Sequence, residues 1–545
     1  PNADNAGNFT AASMTGSVGW YRRDFVLPSG AFAGYVPRAD RDWIVRFESV
    51  NYTATVWING HELGTHAGAY LPFEYQLKDL HSGVNRLVVR VDDVRSGADF
   101  PPGPSGGWWN FGGILREVYL RAVQRADISR AMIRPVLPCP GCAATIEESA
   151  DVHNTTAVAQ TVTLTGSYGG HRLTFGRATI APGASWTPSA SGRIAHPRLW
   201  APGSPHLYTA TLRLTDGRGR VLQTYTDLSG VRTITVVHGH LELNGRLLHL
   251  RGVNIHEQTL TTGAALDPEQ EAQEVDWAQE VGSDVIRAHY PLAPEQLEQA
   301  DRAGILIWDE IPVYQVAASY LGQAGWEARA LALLQNNILT NQNYPSVMLW
   351  SIGNELPTPA TSGEARYIAA ATAEAHRLDP TRPVGLAVSS WPGVACQRTA
   401  YAPLDVIGDN EYFGWFDAGG GTDDDRDALG PYLNTLRSCY SSKAIFITEF
   451  GFEGSRPGPV EVRGTYAFQD DSIAFHLGVF ASKPWLSGAM YFALQDFAAR
   501  PGYSGGDPVP HPPFVEKGVV DLLGNIKSAF GVMSAIYHAT AQVGP

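Results

Sequence analysis

Short stretches of alternating apolar and polar residues fill the first 235 positions, and apolar strands followed by amphipathic helices fill the rest. In the first region Trp43-Ile44-Val45-Arg46-Phe47 and Ala54-Thr55-Val56-Trp57-Ile58 are typical runs, and the second meets Asn59-Gly60, a turn pair that accepts positive φ. Residues 1–123 therefore read as a β-sandwich. Residues 124–237 continue in strands, clearest at Thr161-Val162-Thr163-Leu164-Thr165 and from Leu207 to Leu214, with the length and strand number of an immunoglobulin-like sandwich. The stretch from His238 to Asn244 reads as its exit.

From residue 238 to 545 the pattern becomes strand, then helix, repeated. Candidate strands run Leu248 to Val253, Asp284 to Arg287, Ile305 to Trp308, Val347 to Ile352, Val384 to Ala387, Val406 to Gly408, Ala444 to Thr448 and Gly488 to Phe492. Helical periodicity marks Pro268 to Val281, Trp326 to Leu339, Glu364 to Leu378 and Phe468 to Phe480. Eight such strands predict a (β/α)8 barrel, with a doubly wound open sheet as the alternative.

In a barrel, chemistry belongs at the C-terminal strand ends. The fourth strand runs out at Asn354-Glu355 and the seventh at Thr448-Glu449. A carboxylate placed directly after a buried strand must be desolvated or paired, so two of them opening on one mouth point to chemistry. Retaining glycoside hydrolysis needs such a pair about 5 Å apart, one carboxyl attacking the anomeric carbon and the other protonating the leaving oxygen. The alternative is that each Glu only pairs a loop Arg.

Composition narrows the partner. A formal charge of −14 argues against nucleic acid and anionic membrane, both of which need a basic face, and no apolar run reaches the length of a membrane span. The 14 Trp and 22 Tyr suit a carbohydrate, whose C–H faces pack on aromatic rings, although cores use most such residues. No His, Asp and Glu cluster has ligand spacing, so neither metal nor cofactor is expected. Cys139-Pro140-Gly141-Cys142 reads as a loop disulfide rather than half a zinc site, and the remaining cysteines are Cys396 and Cys439. A disulfide implies an exported protein, and with Lys at only five positions the Arg bias hints at a GC-rich bacterial source.

The motifs resemble glycoside hydrolase family 2, the family of β-galactosidases, β-glucuronidases and β-mannosidases. The resemblance is carried by Gly19-Trp20-Tyr21-Arg22-Arg23, Trp109-Asn110-Phe111-Gly112-Gly113-Ile114-Leu115-Arg116, Leu199-Trp200-Ala201-Pro202 and Gly230-Val231-Arg232. In the barrel it is carried by Arg251 to Glu257, Ile286-Arg287-Ala288-His289-Tyr290-Pro291 and Tyr344-Pro345-Ser346-Val347 running to Asn354-Glu355. It implies a jelly-roll sugar-binding-like domain, an immunoglobulin-like domain and a catalytic TIM barrel, with Glu355 as acid/base and Glu449 as nucleophile. It further implies that Asn354 bonds the sugar 2-hydroxyl, that Tyr412 donates to the nucleophile, and that Arg287, His289, His256, Asn410 and Trp415 surround the pocket.

The sequence departs from the glucuronidase branch, which holds its substrate's carboxylate with an Asn-x-Lys unit. Here Val515-Glu516-Lys517 keeps only the Lys, and Gln258 replaces an acidic residue, with Lys517 and Gln258 both kept as substrate-binding candidates. Phe492 and Tyr344 replace a Trp and a His that relatives show. The expected activity is thus a retaining exo-β-glycosidase with a neutral glycone of galactose type, pyranose or furanose. A β-glucuronide, mannoside or arabinofuranoside specificity is the alternative, and a non-catalytic carbohydrate-binding protein or an adhesion module stands in other classes. Relatives of this kind often form homo-oligomers.

Overall fold

The computed structural model describes residues 9–27, 41–103, 107–416 and 426–544. At its centre eight parallel strands close into a barrel: β1 (Leu250–Asn254), β2 (Val285–Arg287), β3 (Leu306–Glu310), β4 (Val347–Asn354), β5 (Val384–Val388), β6 (Val406–Asn410), β7 (Ala444–Phe450) and β8 (Leu486–Tyr491), with β8 pairing back on β1. These are the eight expected segments, shifted by two residues or fewer at their starts and by three or fewer at their ends. All are buried on both faces, which is why they read as unbroken apolar runs. The four expected helices form at Pro268–Glu280, Ala324–Asn341, Ser362–Leu378 and Tyr466–Ala481. Asp267 starts the first as an N-cap, with Gln270 reaching back in a capping box and Pro268 at the first helical position.

The stretch expected to be a simple exit from the second sandwich is a three-stranded meander, Ile234–Val237, His240–Leu243 and Arg246–Leu247. Its two turns, His238-Gly239 and Asn244-Gly245, have both central residues at positive φ, the conformation that matches strand twist in a two-residue hairpin. Ile234, Leu241 and Leu243 pack against Leu250, Trp308, Met348 and Phe446, so the meander closes the barrel floor opposite the catalytic mouth.

Two sandwiches precede the barrel. The first sets the sheet Val18–Val26, Val84–Asp92, Thr53–Ile58, His61–Ala67 against strands that include Arg41–Phe47 and Phe73–Leu77, and its core holds Val45, Phe47, Val56, Ile58 and Val89. The second packs Gln160–Tyr168, His171–Ile180, Tyr208–Asp216 and Val221–Ser229 against Ala126–Val136 and Ala144–Asn154. One sheet runs through both, joined only where Gln124 pairs with Ala126, so the domain boundary lies in a continuous ladder. Cys139–Cys142 and Cys396–Cys439 are both disulfide-bonded.

Residues that carried the resemblance fasten the sandwiches to the barrel. Arg116 pairs with Glu257 at 2.8 Å and donates to the Pro291 carbonyl, Trp200 donates its indole N–H to the Asp301 carbonyl, and Arg232 donates to the carbonyls of Pro345 and Val347. Tyr70 stacks on Tyr290 with ring centroids 3.9 Å apart. A chain segment of the first sandwich thereby reaches the barrel mouth, where Trp108 stacks on His289.

Candidate active site

Glu355 and Glu449 line one cavity of about 220 Å³ at the C-terminal mouth of the barrel, together with His256, His289, Tyr314, Gln315 and Tyr412. Gly107, Trp391, Phe416, Phe492, Phe497, Arg500 and Tyr503 complete its described wall. A second cavity, of about 290 Å³, lies in the seam between the first sandwich and the barrel beside Asp93 and Trp109, and neither Glu355 nor Glu449 lines it.

Glu449 is presented by β7 itself, whereas Glu355 stands one residue beyond β4 with φ 47°, in the left-handed region that non-glycine residues avoid. Gly353, with its φ of 156° and the Val313 carbonyl against the place a Cβ would take, lets the strand turn before it. Strained backbone of this kind persists where surrounding contacts over-determine it. Here the Glu355 N–H donates to the Ala387 carbonyl at 2.8 Å, and both carboxylate oxygens accept hydrogen bonds, from Asn410 at 2.9 Å and from Gln315 at 2.6 Å.

The carboxylates are tied together through strand-end side chains. Arg287, at the end of β2 and fully buried, donates to Glu449 at 2.8 Å, to Asn354 at 2.7 Å and to Asn254 at 2.9 Å. Its guanidinium also grips Glu310, at the end of β3, through contacts of 2.9 and 3.2 Å. Asn410, at the end of β6, donates to both Asn354 and Glu355 and accepts from Thr448. Tyr412 donates its hydroxyl proton to the other Glu449 oxygen at 2.6 Å.

Electrostatics distinguish the groups. Burial, and then the charge of Glu449, pushes the Glu355 carboxyl above its ordinary range, with Asn410 and Gln315 offsetting part of the shift. Burial would raise Glu310 too, but the Arg287 charge and the hydrogen bonds of Arg287 and His289 bring it below its usual value. His256 is held neutral, far below its usual pKa, by burial first and then by the neighbouring His289 and Arg287. Among the described residues the Asn354 amide nitrogen and the His256 Nδ1 are buried here without a partner, and the amide is a donor ready for a ligand oxygen.

Most sequence-derived candidates meet here. Glu355, Glu449, Tyr412, His256 and His289 face the cavity, and Arg287, Asn354 and Asn410 lie directly beneath it. Three do not line the described cavity. Gln258 turns its side-chain oxygen to the Ala498 N–H at 3.1 Å, because the chain after β8 needs an acceptor there. Trp415 is fully buried and donates to the Gly505 carbonyl. Lys517 is buried, pairs with Glu453 at 3.3 Å, also donates to the Gly505 carbonyl and lies over the Trp415 ring. The sequence reading missed Glu310, Tyr314, Gln315, Trp391, Arg500 and Tyr503. Only Glu310 carried a signal, a strand-end carboxylate like the catalytic pair. Among the described residues no group of three His, Cys, Asp or Glu side chains could hold a metal ion.

Residues 8–123 match the model of the glycosyl hydrolases family 2 sugar binding domain, residues 130–232 that of glycosyl hydrolases family 2, and residues 234–461 that of the family 2 TIM barrel domain. A β-glucuronidase of Paenibacillus borealis is 26% identical over 89% of this chain and 82% of its own length. A putative β-glucuronidase of Formosa agariphila is 28% identical over 67% of this chain, which spans only 44% of that longer protein. A β-galactosidase of Thermoanaerobacter pseudethanolicus is 26% identical over 72% of this chain and 51% of its own. Among solved structures, a family 2 β-galacturonidase of Eisenbergiella tayi superposes with a TM-score of 0.84 at 23% identity, covering 98% of this chain and 91% of that one. A β-glucuronidase of Bacteroides uniformis gives 0.85 at 23% identity, covering 98% and 65%.

Proposed function

The chain belongs to glycoside hydrolase family 2, and we propose that it is a retaining exo-β-glycosidase working by double displacement. Glu449 attacks the anomeric carbon while Glu355 gives its proton to the departing oxygen. Glu355, now ionised, takes a proton from water, and that water releases the sugar from Glu449 with the β configuration restored. The observation that carries this reading is the unequal setting of two carboxylates in one cavity. Glu449 accepts from Arg287 and Tyr412, a setting for a nucleophile, whereas Glu355 has its carboxyl raised, a setting for an acid. The unpartnered Asn354 amide suits the 2-hydroxyl, a contact that tightens as the oxocarbenium-like transition state forms. Proton NMR of the first-formed sugar is the test. The β anomer appearing before mutarotation is expected, and the α anomer first refutes the mechanism.

For the glycone, the withdrawal of Lys517 into its pair with Glu453 supports a neutral sugar of galactose type, since the Val515-to-Lys517 segment then offers a substrate carboxylate no cation. A β-glucuronide is the second reading, favoured by the names of the P. borealis and F. agariphila relatives. Nitrophenyl β-galactopyranoside, β-galactofuranoside, β-glucuronide, β-mannoside and α-arabinofuranoside compared by kcat/KM separate them. We also propose that the protein is exported, which its two disulfides favour.

A further inference from the structure

Lys517 is withdrawn from the pocket, yet the pocket is not without a cation. Among the described residues that line it, Arg500 alone carries a Lys or Arg charge. It follows β8 on a Gly- and Pro-rich loop and is exposed, while Glu449, Tyr412, His289 and His256 in the same cavity are buried. Its recorded contact is with the Tyr503 ring, 5.5 Å from the guanidinium carbon to the ring centroid, and no carboxylate of the described residues pairs with it. Every other Arg near the floor is saturated: Arg287 by Glu310 and Glu449, and Arg116 by Glu257. A planar guanidinium held against an aromatic ring, with its N–H fork unclaimed, is built to take a carboxylate in two parallel hydrogen bonds.

Charge balance gives the same answer. A substrate carboxylate entering this cavity meets Glu449 and Glu355, and the one described side chain able to offset that repulsion at the mouth is Arg500. We infer that Arg500, exposed at the mouth above the buried catalytic pair, is a specificity-determining residue that reads an anionic group on the leaving group of the substrate. This rests on the glycosidase reading above and names the substrate class for that same site. The Tyr503 ring supports the guanidinium from one side.

The test compares wild type, Arg500→Gln and Arg500→Lys on nitrophenyl β-galactopyranoside, nitrophenyl β-glucuronide, nitrophenyl β-galacturonide and carboxyumbelliferyl β-galactopyranoside, with Glu449→Ala as the blank. The ratio of kcat/KM on acidic to neutral substrate is expected to fall roughly 5-fold in Arg500→Gln, the scale of losing one solvent-screened charge pair, and to be partly kept in Arg500→Lys. A fall on the carboxyumbelliferyl substrate places the anion on the leaving group, and a fall confined to the two uronides overturns that placement. An unchanged ratio in both arms overturns the role of Arg500 and leaves the glycosidase standing. Silence of the wild type on all four substrates overturns the galactopyranose reading and this inference with it, and release by Glu449→Ala equal to wild type overturns the glycosidase reading.

Discussion

The floor and the wall of the pocket are built in opposite ways. On the floor, side chains from the ends of β1, β2, β3, β4, β6 and β7 bond one another and leave the Asn354 amide donor for the ligand, and Arg287 alone contacts Asn254, His289, Glu310, Asn354 and Glu449. The wall after β8 hangs on a few anchors. Trp415 and Lys517 converge on the Gly505 carbonyl, Gly505 and Gly506 both have positive φ, and Arg500 and Tyr503 are left facing the cavity. A network this closely bonded fixes where charge sits through the reaction, which is what catalysis by preorganised dipoles requires. A tethered loop can change which groups it presents without disturbing that network, so the chemistry belongs to the floor and the choice of substrate to the wall.

If that division holds, the largest losses come from the floor. Glu449→Ala should lower kcat by roughly 10⁴-fold or more, since the covalent route is removed. Glu355→Ala should cost about 10²- to 10⁴-fold on poor leaving groups, with azide rescuing turnover of an activated aryl glycoside as a β-glycosyl azide. Arg287→Lys should cost about 10²-fold in kcat, because a point charge cannot hold Glu449, Asn354 and Glu310 together. A near-normal kcat in Arg287→Lys would show that the network is only structural.

Smaller effects are expected from the wall. Lys517→Met leaves Glu453 buried without its cation and should destabilise the protein by about 3 kcal/mol in denaturant unfolding, while adding Glu453→Gln restores most of it. A shift in glycone preference in that double variant, with stability recovered, would put Lys517 back in the recognition of substrate. The smallest effect concerns Glu355 itself. Its folded-state pKa is raised, so the proton it binds stabilises the fold below the ordinary value of 4.5, and that contribution is lost as pH rises through the folded value. Glu355→Gln should therefore melt with wild type in acid and above it near neutrality, and it should lose the basic limb of the kcat/KM profile.

The same division governs what the sequence made legible. Each of the eight barrel strands was visible because burial on both faces leaves an unbroken apolar run, and their ends located Glu355 and Glu449 without coordinates, while the family resemblance added Arg287 and Asn410. Tyr314 and Gln315 were not visible, because Gln315 reaches Glu355 from an irregular segment after β3, with φ 46°, that no periodicity marks. Lys517 was misplaced for a related reason. Its neighbours in sequence fixed its motif, but Glu453, 64 residues away, fixed where its charge went. Gln258 likewise spends its oxygen on a backbone N–H 240 residues distant, a contact set by how the chain after β8 folds back over β1. The His238 to Asn244 stretch showed its turns but not its partner, the barrel floor.

The central claim is that Glu449 carries the sugar between the two steps. A 2-deoxy-2-fluoro β-glycoside with a dinitrophenyl leaving group slows both steps, the second more, and traps the intermediate. Peptide mass spectrometry of the inactivated enzyme should find one fluorosugar on the peptide containing Thr448-Glu449-Phe450, ester-linked to Glu449. A label on any other residue, or turnover with no trapped species and inverted product, would contradict the account.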